Sequence, residues 1–96
     1  MLDFCNVELE TSFSLKYSEF DKLKPIFDEF YRKTGLAIDE YGDARLIIDN
    51  LLLIKDLAID CSKKETMKEN RILIQSFIKN LEMITTGGYH FWVSGD

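Results

Sequence analysis

Asp39-Glu40-Tyr41-Gly42-Asp43 packs three carboxylates, a phenol and a glycine into five consecutive positions. Oxygen ligands at that density suit calcium or magnesium. A calcium loop of the helix-loop-helix kind also needs ligands at alternating positions, a glycine at the sixth and a glutamate at the twelfth, and this stretch lacks that spacing. Paired carboxylates can divide acid and base roles, but only in a cleft that shifts their proton affinities. His90 is the one histidine, and its nearest hydroxyls in sequence are Tyr89 and Ser94. Cys5 or Cys61 would reach it as a nucleophile only through the fold. Thr85-Thr86-Gly87-Gly88 closes a helical pattern instead of opening one, so it does not read as a phosphate loop. The residues therefore predict no catalytic group, no metal site and no cofactor.

The five residues also read as punctuation. Gly35 stops the preceding helical pattern, Ile38 turns inward, Gly42 permits a turn, and Asp43 is a good N-cap for the next helix. That reading leaves Asp39, Glu40 and Tyr41 without a role. A tyrosine beside carboxylates suits recognition, since the ring gives contact area at low entropy cost and the acids steer a cationic partner.

The elements that position this loop are set by periodicity. From Val7 to Tyr17 the odd positions are Val7, Leu9, Thr11, Phe13, Leu15 and Tyr17, and the even positions are charged or hydroxylic. This alternation predicts one half-buried strand. Phe20, Leu23, Phe27, Phe30 and Tyr31 then form a helical stripe. Pro25 suits only a first turn or a kink, which predicts a regular helix from near Asp21 to Gly35. After Asp43 the run Ala44–Asp60 is apolar nearly all round and predicts a central helix. Ser62–Glu65 matches the capping box of a third helix carrying Met67, Ile74, Phe77, Ile78, Leu81 and Ile84, ended by Gly87 and Gly88. The tail after Tyr89 is strand-forming, with Tyr89, Phe91 and Val93 on one face and His90, Trp92 and Ser94 on the other. Trp92 is then either covered by the N-terminal segment or available to a partner.

The predicted fold is thus α+β and mainly helical: three helices with an N-terminal and a C-terminal β-strand, an all-α bundle being the alternative. The two strands must find each other or pair with another chain, because a lone strand is not stable. A chain of 96 residues forms a single domain, 1–96, and buries roughly 60–68 % of its unfolded surface. Two cysteines are too few for a disulfide framework or a structural zinc, and suit a reducing, cytoplasmic setting. No apolar run reaches membrane-spanning length, and the first ten residues, with no basic region and no apolar stretch, predict no secretion signal. Net charge is −5 and the pI is about 4.8, which disfavours nucleic acid as partner. The acidity is concentrated: residues 28–60 hold eight acids and four bases, whereas residues 62–79 hold two acids and five bases.

Residues 20–46, and within them Ile38-Asp39-Glu40-Tyr41-Gly42-Asp43-Ala44-Arg45-Leu46 after Lys33-Thr34-Gly35, resemble small immunity proteins encoded beside bacterial polymorphic toxins, including contact-dependent growth inhibition systems. The resemblance implies a protein that binds and neutralises a toxin C-terminal domain, often a nuclease with a basic active site, by stoichiometric binding through an acidic surface. The acidic segment and the unassigned Tyr41 then put the expected contact at Asp39, Glu40, Tyr41 and Asp43, with Glu29, Asp49 and Asp56 as flanking charge and Trp92 as an outlying anchor. A second reading is a regulatory or homodimeric interaction module that uses its terminal strands as edges. An enzyme is the third.

Overall fold

The computed structural model describes residues 1–95. The chain runs β1 (Leu2–Asn6), β2 (Ser12–Leu15), α1 (Tyr17–Thr34), β3 (Asp43–Ile47), α2 (Ile48–Lys64), α3 (Lys68–Ile84) and β4 (His90–Ser94). It is an α+β fold with three helices and a four-stranded antiparallel sheet, ordered β2-β1-β4-β3. The strands at the two ends of the chain pair with each other, Phe4 opposite Val93 and Cys5 opposite Trp92, and together they form the middle of the sheet. The edges are β2 and β3, so an interaction module built on terminal edge strands has no edge to use.

The single strand expected over residues 7–17 is instead the second half of a hairpin. Asn6 donates its backbone N–H to Thr11 O (2.8 Å), and its side-chain Oδ1 accepts the Leu9 N–H (3.1 Å). That side-chain bond competes with continued pairing and reverses the chain, the usual effect of an asparagine at a turn. Glu10 takes the left-handed conformation, φ 59°. Val7 and Leu9 consequently lie in solvent, while Phe13 and Leu15 keep the inward face that alternation assigned them.

Helix α1 begins four residues earlier than expected, with the Glu19 carboxylate accepting the Lys16 N–H (2.8 Å). Pro25 lies inside it without ending it. The proline is on the exposed side of the helix, where water can bind the carbonyl that loses its partner. Phe20, Leu23, Ile26, Phe27 and Phe30 are buried, whereas Tyr31 is exposed. Gly35, at φ 75°, closes the helix with its N–H on Tyr31 O (2.7 Å), as expected of that residue.

Asp43 does not cap α2. Residues Asp43–Ile47 form β3, with Arg45 opposite Trp92, and the helix starts at Ile48. Asn50 Oδ1 accepts the Ile47 N–H (2.9 Å) at that start. The Ser62–Glu65 box does not open α3 either. Ser62 Oγ donates to Ile59 O inside the last turn of α2, and Glu65 accepts the Met67 N–H (3.0 Å) ahead of α3. Helix α2 packs against both α1 and α3, as its apolar sequence predicts, but it keeps a wet side that includes Leu52.

The helices cover the sheet face that carries Leu2, Phe4, Phe13, Leu15, Leu46, Phe91 and Val93. Phe4, Phe13, Phe27 and Phe77 meet at its centre with ring centroids 4.8–6.3 Å apart, joining two strands to α1 and α3. Rings at these separations add about 0.5–1.5 kcal/mol per pair beyond their burial. Asn6, fully buried, is the polar member of this interior, and its Nδ2 donates to Ile84 O (2.8 Å) and Gly87 O (2.9 Å). The last carbonyls of a helix have no partner within it, and Asn6 supplies one for α3.

Candidate functional site

Helix α1 and the loop after it enclose a groove of about 690 Å³. Phe20, Phe27 and Ile38 belong to its lining and to the core, which gives the groove an apolar floor. Tyr31 and Tyr41 stand at its rim, 55 % and 68 % exposed. Asp28, Asp39 and Glu40 bring three carboxylates to the same groove against one cation, Lys24. The loop is held in shape. Asp39 Oδ1 accepts the Tyr41 N–H (2.9 Å), and the Tyr41 ring rests against Tyr17, centroids 5.8 Å apart. Gly95 donates to Gly42 O (2.8 Å) and passes so close to Glu40 that a Cβ on it would lie 2.3 Å from the Glu40 carbonyl oxygen. These contacts fix the backbone of residues 39–42, which lowers the ordering cost of binding there.

No family model, curated protein or solved structure matches this chain. The site therefore rests on its own geometry.

Of the residues expected to form one acidic surface, that geometry gathers Asp39, Glu40 and Tyr41. The others go elsewhere. Glu29 lines a second groove, of about 440 Å³, between α1 and α2. It is already neutralised: Arg32 binds it at two oxygens and Lys33 Nζ lies 3.9 Å away. The hydrogen bonds from Arg32 hold the Glu29 carboxyl below its ordinary value. Asp49 and Asp56 are exposed on α2, two turns apart on one side of that helix. Asp43 and Trp92 belong to the sheet face that the helices leave uncovered. Trp92 is half-buried there, with the Arg45 guanidinium of β3 4.9 Å from the ring centroid on one side and Cys5 of the N-terminal strand β1 paired opposite it on the other. A third groove, of about 420 Å³, runs beside it past Arg45, Ile47 and His90.

Cys5, Cys61 and His90 lie apart from the groove lining. Burial pushes the Cys5 and Cys61 thiols up, with Asp3 and Glu65 adding to it respectively, and a thiol kept protonated is a poor nucleophile. His90 Nδ1 lies 2.7 Å from Glu8 Oε2. The other Glu8 oxygen accepts the backbone N–H groups of His90 (2.9 Å) and Tyr89 (2.7 Å). Those backbone bonds, with the side-chain bond to His90, bring the Glu8 carboxyl from an ordinary 4.5 to about 2. The pair clamps the β1–β2 turn to the start of β4. Sequence reasoning missed both Asn6 and Glu8, because their partners lie about 80 positions away along the chain. Among the described residues no group of three or more His, Cys, Asp or Glu is placed to hold a metal, and no helix is long and apolar enough to cross a membrane.

Proposed function

We propose that the protein is a stoichiometric binding module which captures a cationic protein surface in the groove between α1 and the 36–42 loop. Its partner in this reading is the C-terminal domain of a bacterial polymorphic toxin, a nuclease with a basic active site being the kind its charge suits best. It acts as the immunity protein in the cytoplasm of the producing cell, without turnover. The observation that supports this most is that Asp39, Glu40 and Tyr41, inside the stretch that resembles immunity proteins, close a groove with an apolar floor, two exposed tyrosines and an excess of carboxylate. Apolar contact supplies affinity in such a groove, while the carboxylates speed and orient the encounter. Glu29, Asp43, Asp49 and Asp56 lie on other faces and act in this reading at most as a distant field, and Trp92 stands outside the contact.

The test is calorimetric titration with the toxin domain encoded beside this protein. Binding at one-to-one stoichiometry is expected. Reversing both charges, Asp39→Lys with Glu40→Lys, should raise Kd by about thirtyfold or more, since a hot spot is worth about 2 kcal/mol or more. A change within about threefold removes the groove from the interface.

A further inference from the structure

The sheet ends at β3, whose outer backbone groups have a defined direction. Gly95 donates to Gly42 O and Ile48 donates to Tyr89 O, so the even-numbered residues 42–48 turn their N–H and C=O groups toward β4. In an antiparallel ladder these groups alternate, which turns those of Asp43, Arg45 and Ile47 outward. The Ile47 N–H is already taken by Asn50 Oδ1. Asp43 and Arg45 remain, both exposed, with side chains on the uncovered face of the sheet. Among the described residues neither has a salt-bridge partner.

We propose that β3 pairs antiparallel with β3 of a second copy of this chain, about a twofold axis through Ala44. The register has Asp43 of each copy facing Arg45 of the other. The proposal stands apart from the toxin reading and uses none of its residues except Asp43. Three features select this occupant. First, the two outward residues differ in charge and are separated by one residue, so a twofold axis between them turns a single strand into two complementary ion pairs; an edge that carries one sign of charge repels its own copy. Second, the outward groups of Asp43 and Arg45 pair with each other in that register, giving four backbone hydrogen bonds across the axis. Third, the axis residue is Ala44, half-buried, in the non-hydrogen-bonded position where opposed Cα atoms come within about 4.5 Å and a small side chain fits. The other edge offers no such match: β2 presents Ser12 and Ser14 on its outer face, and Ser14 Oγ already donates to Asp3. Isologous pairing consumes the edge on both copies and closes at a dimer. An overlap of three residues makes that dimer weak, with Kd roughly in the micromolar to millimolar range.

The experiment is sedimentation equilibrium on the full chain from about 10 µM to about 1 mM. A monomer–dimer equilibrium is expected for the wild type. Asp43→Arg or Arg45→Asp alone should raise Kd by about tenfold, because each dimer then holds two repulsive pairs. The double swap, Asp43→Arg with Arg45→Asp, should return Kd to within about threefold of wild type. A wild type that is monomeric throughout overturns the proposal, as does a swap no better than the single variants. A second readout does not depend on charge: Ala44→Cys should oxidise to a dimer linked through residue 44, identified by peptide mass spectrometry. Cross-links confined to Cys5 or Cys61 would overturn the register.

Discussion

Replacing Asn6 by alanine should be among the most damaging single changes to the fold. The side chain is fully buried and makes three hydrogen bonds: to Ile84 O, to Gly87 O and from Leu9 N–H. They join two places far apart in sequence: the β1–β2 turn, and the end of α3 with the glycine turn that follows it. Truncation leaves the buried Ile84 carbonyl without this donor, a loss of about 1–3 kcal/mol. The bonds to Gly87 and Leu9 are partly buried and contribute about 0.5–1.5 kcal/mol each. The sum is about 2–6 kcal/mol, set against a total stability of about 5–15 kcal/mol for a domain. Each kcal/mol lowers Tm by about 4–8 °C at this chain length. Urea unfolding followed by circular dichroism should show the loss as a lower midpoint at unchanged slope. Asn6→Asp adds a sharper test. It keeps an oxygen for the Leu9 N–H but faces two carbonyl oxygens with a carboxylate, so it should be worse than alanine. A cost under about 1 kcal/mol for Asn6→Ala, or an aspartate that equals or improves on alanine, refutes the reasoning.

Two further changes probe the same corner. Gly88 has φ 83°, and a Cβ on it would stand 2.6 Å from the Asn6 amide; Gly88→Ala should destabilise by more than about 1 kcal/mol and, combined with Asn6→Ala, should cost clearly less than the sum of the two, as a double-mutant cycle would show. Glu8 has its carboxyl lowered to about 2, so the stability it adds is complete above its unfolded value near 4.5 and fades as the pH falls toward 2. Urea midpoints for wild type and Glu8→Gln measured from pH 6 down to pH 2 should therefore converge on acidification, and a gap independent of pH contradicts the clamp.

Much of the helical architecture was legible without the fold. The stripe Phe20, Leu23, Phe27 and Phe30 is buried as its spacing requires, as are Ile74, Phe77, Leu81 and Ile84, because helical hydrogen bonds are local and the period shows in a short window. Gly35 closed its helix and Phe91 and Val93 turned inward for equally local reasons. Strand boundaries were a different matter. Ala44–Ile47 has helix-compatible residues, and only the β4 ladder, made with residues almost fifty positions later, holds it extended. The alternation from Val7 to Tyr17 ran through a turn without breaking, since the residue that reverses the chain, Asn6, precedes the pattern and acts through its side chain.

The site divides along the same line. Sequence alone singled out Asp39, Glu40 and Tyr41 as polar and aromatic groups with no structural duty, and placed them in a loop between helices. Only the tertiary structure set that loop against Phe20 and Phe27 to make a groove, and sent Glu29, Asp43, Asp49, Asp56 and Trp92 to other faces. Charge density along a chain measures composition over a window, whereas a surface is assembled from elements whose rotation and pairing depend on contacts made elsewhere. The burial of Asn6 and the outward face of β3 belong to that second kind of information.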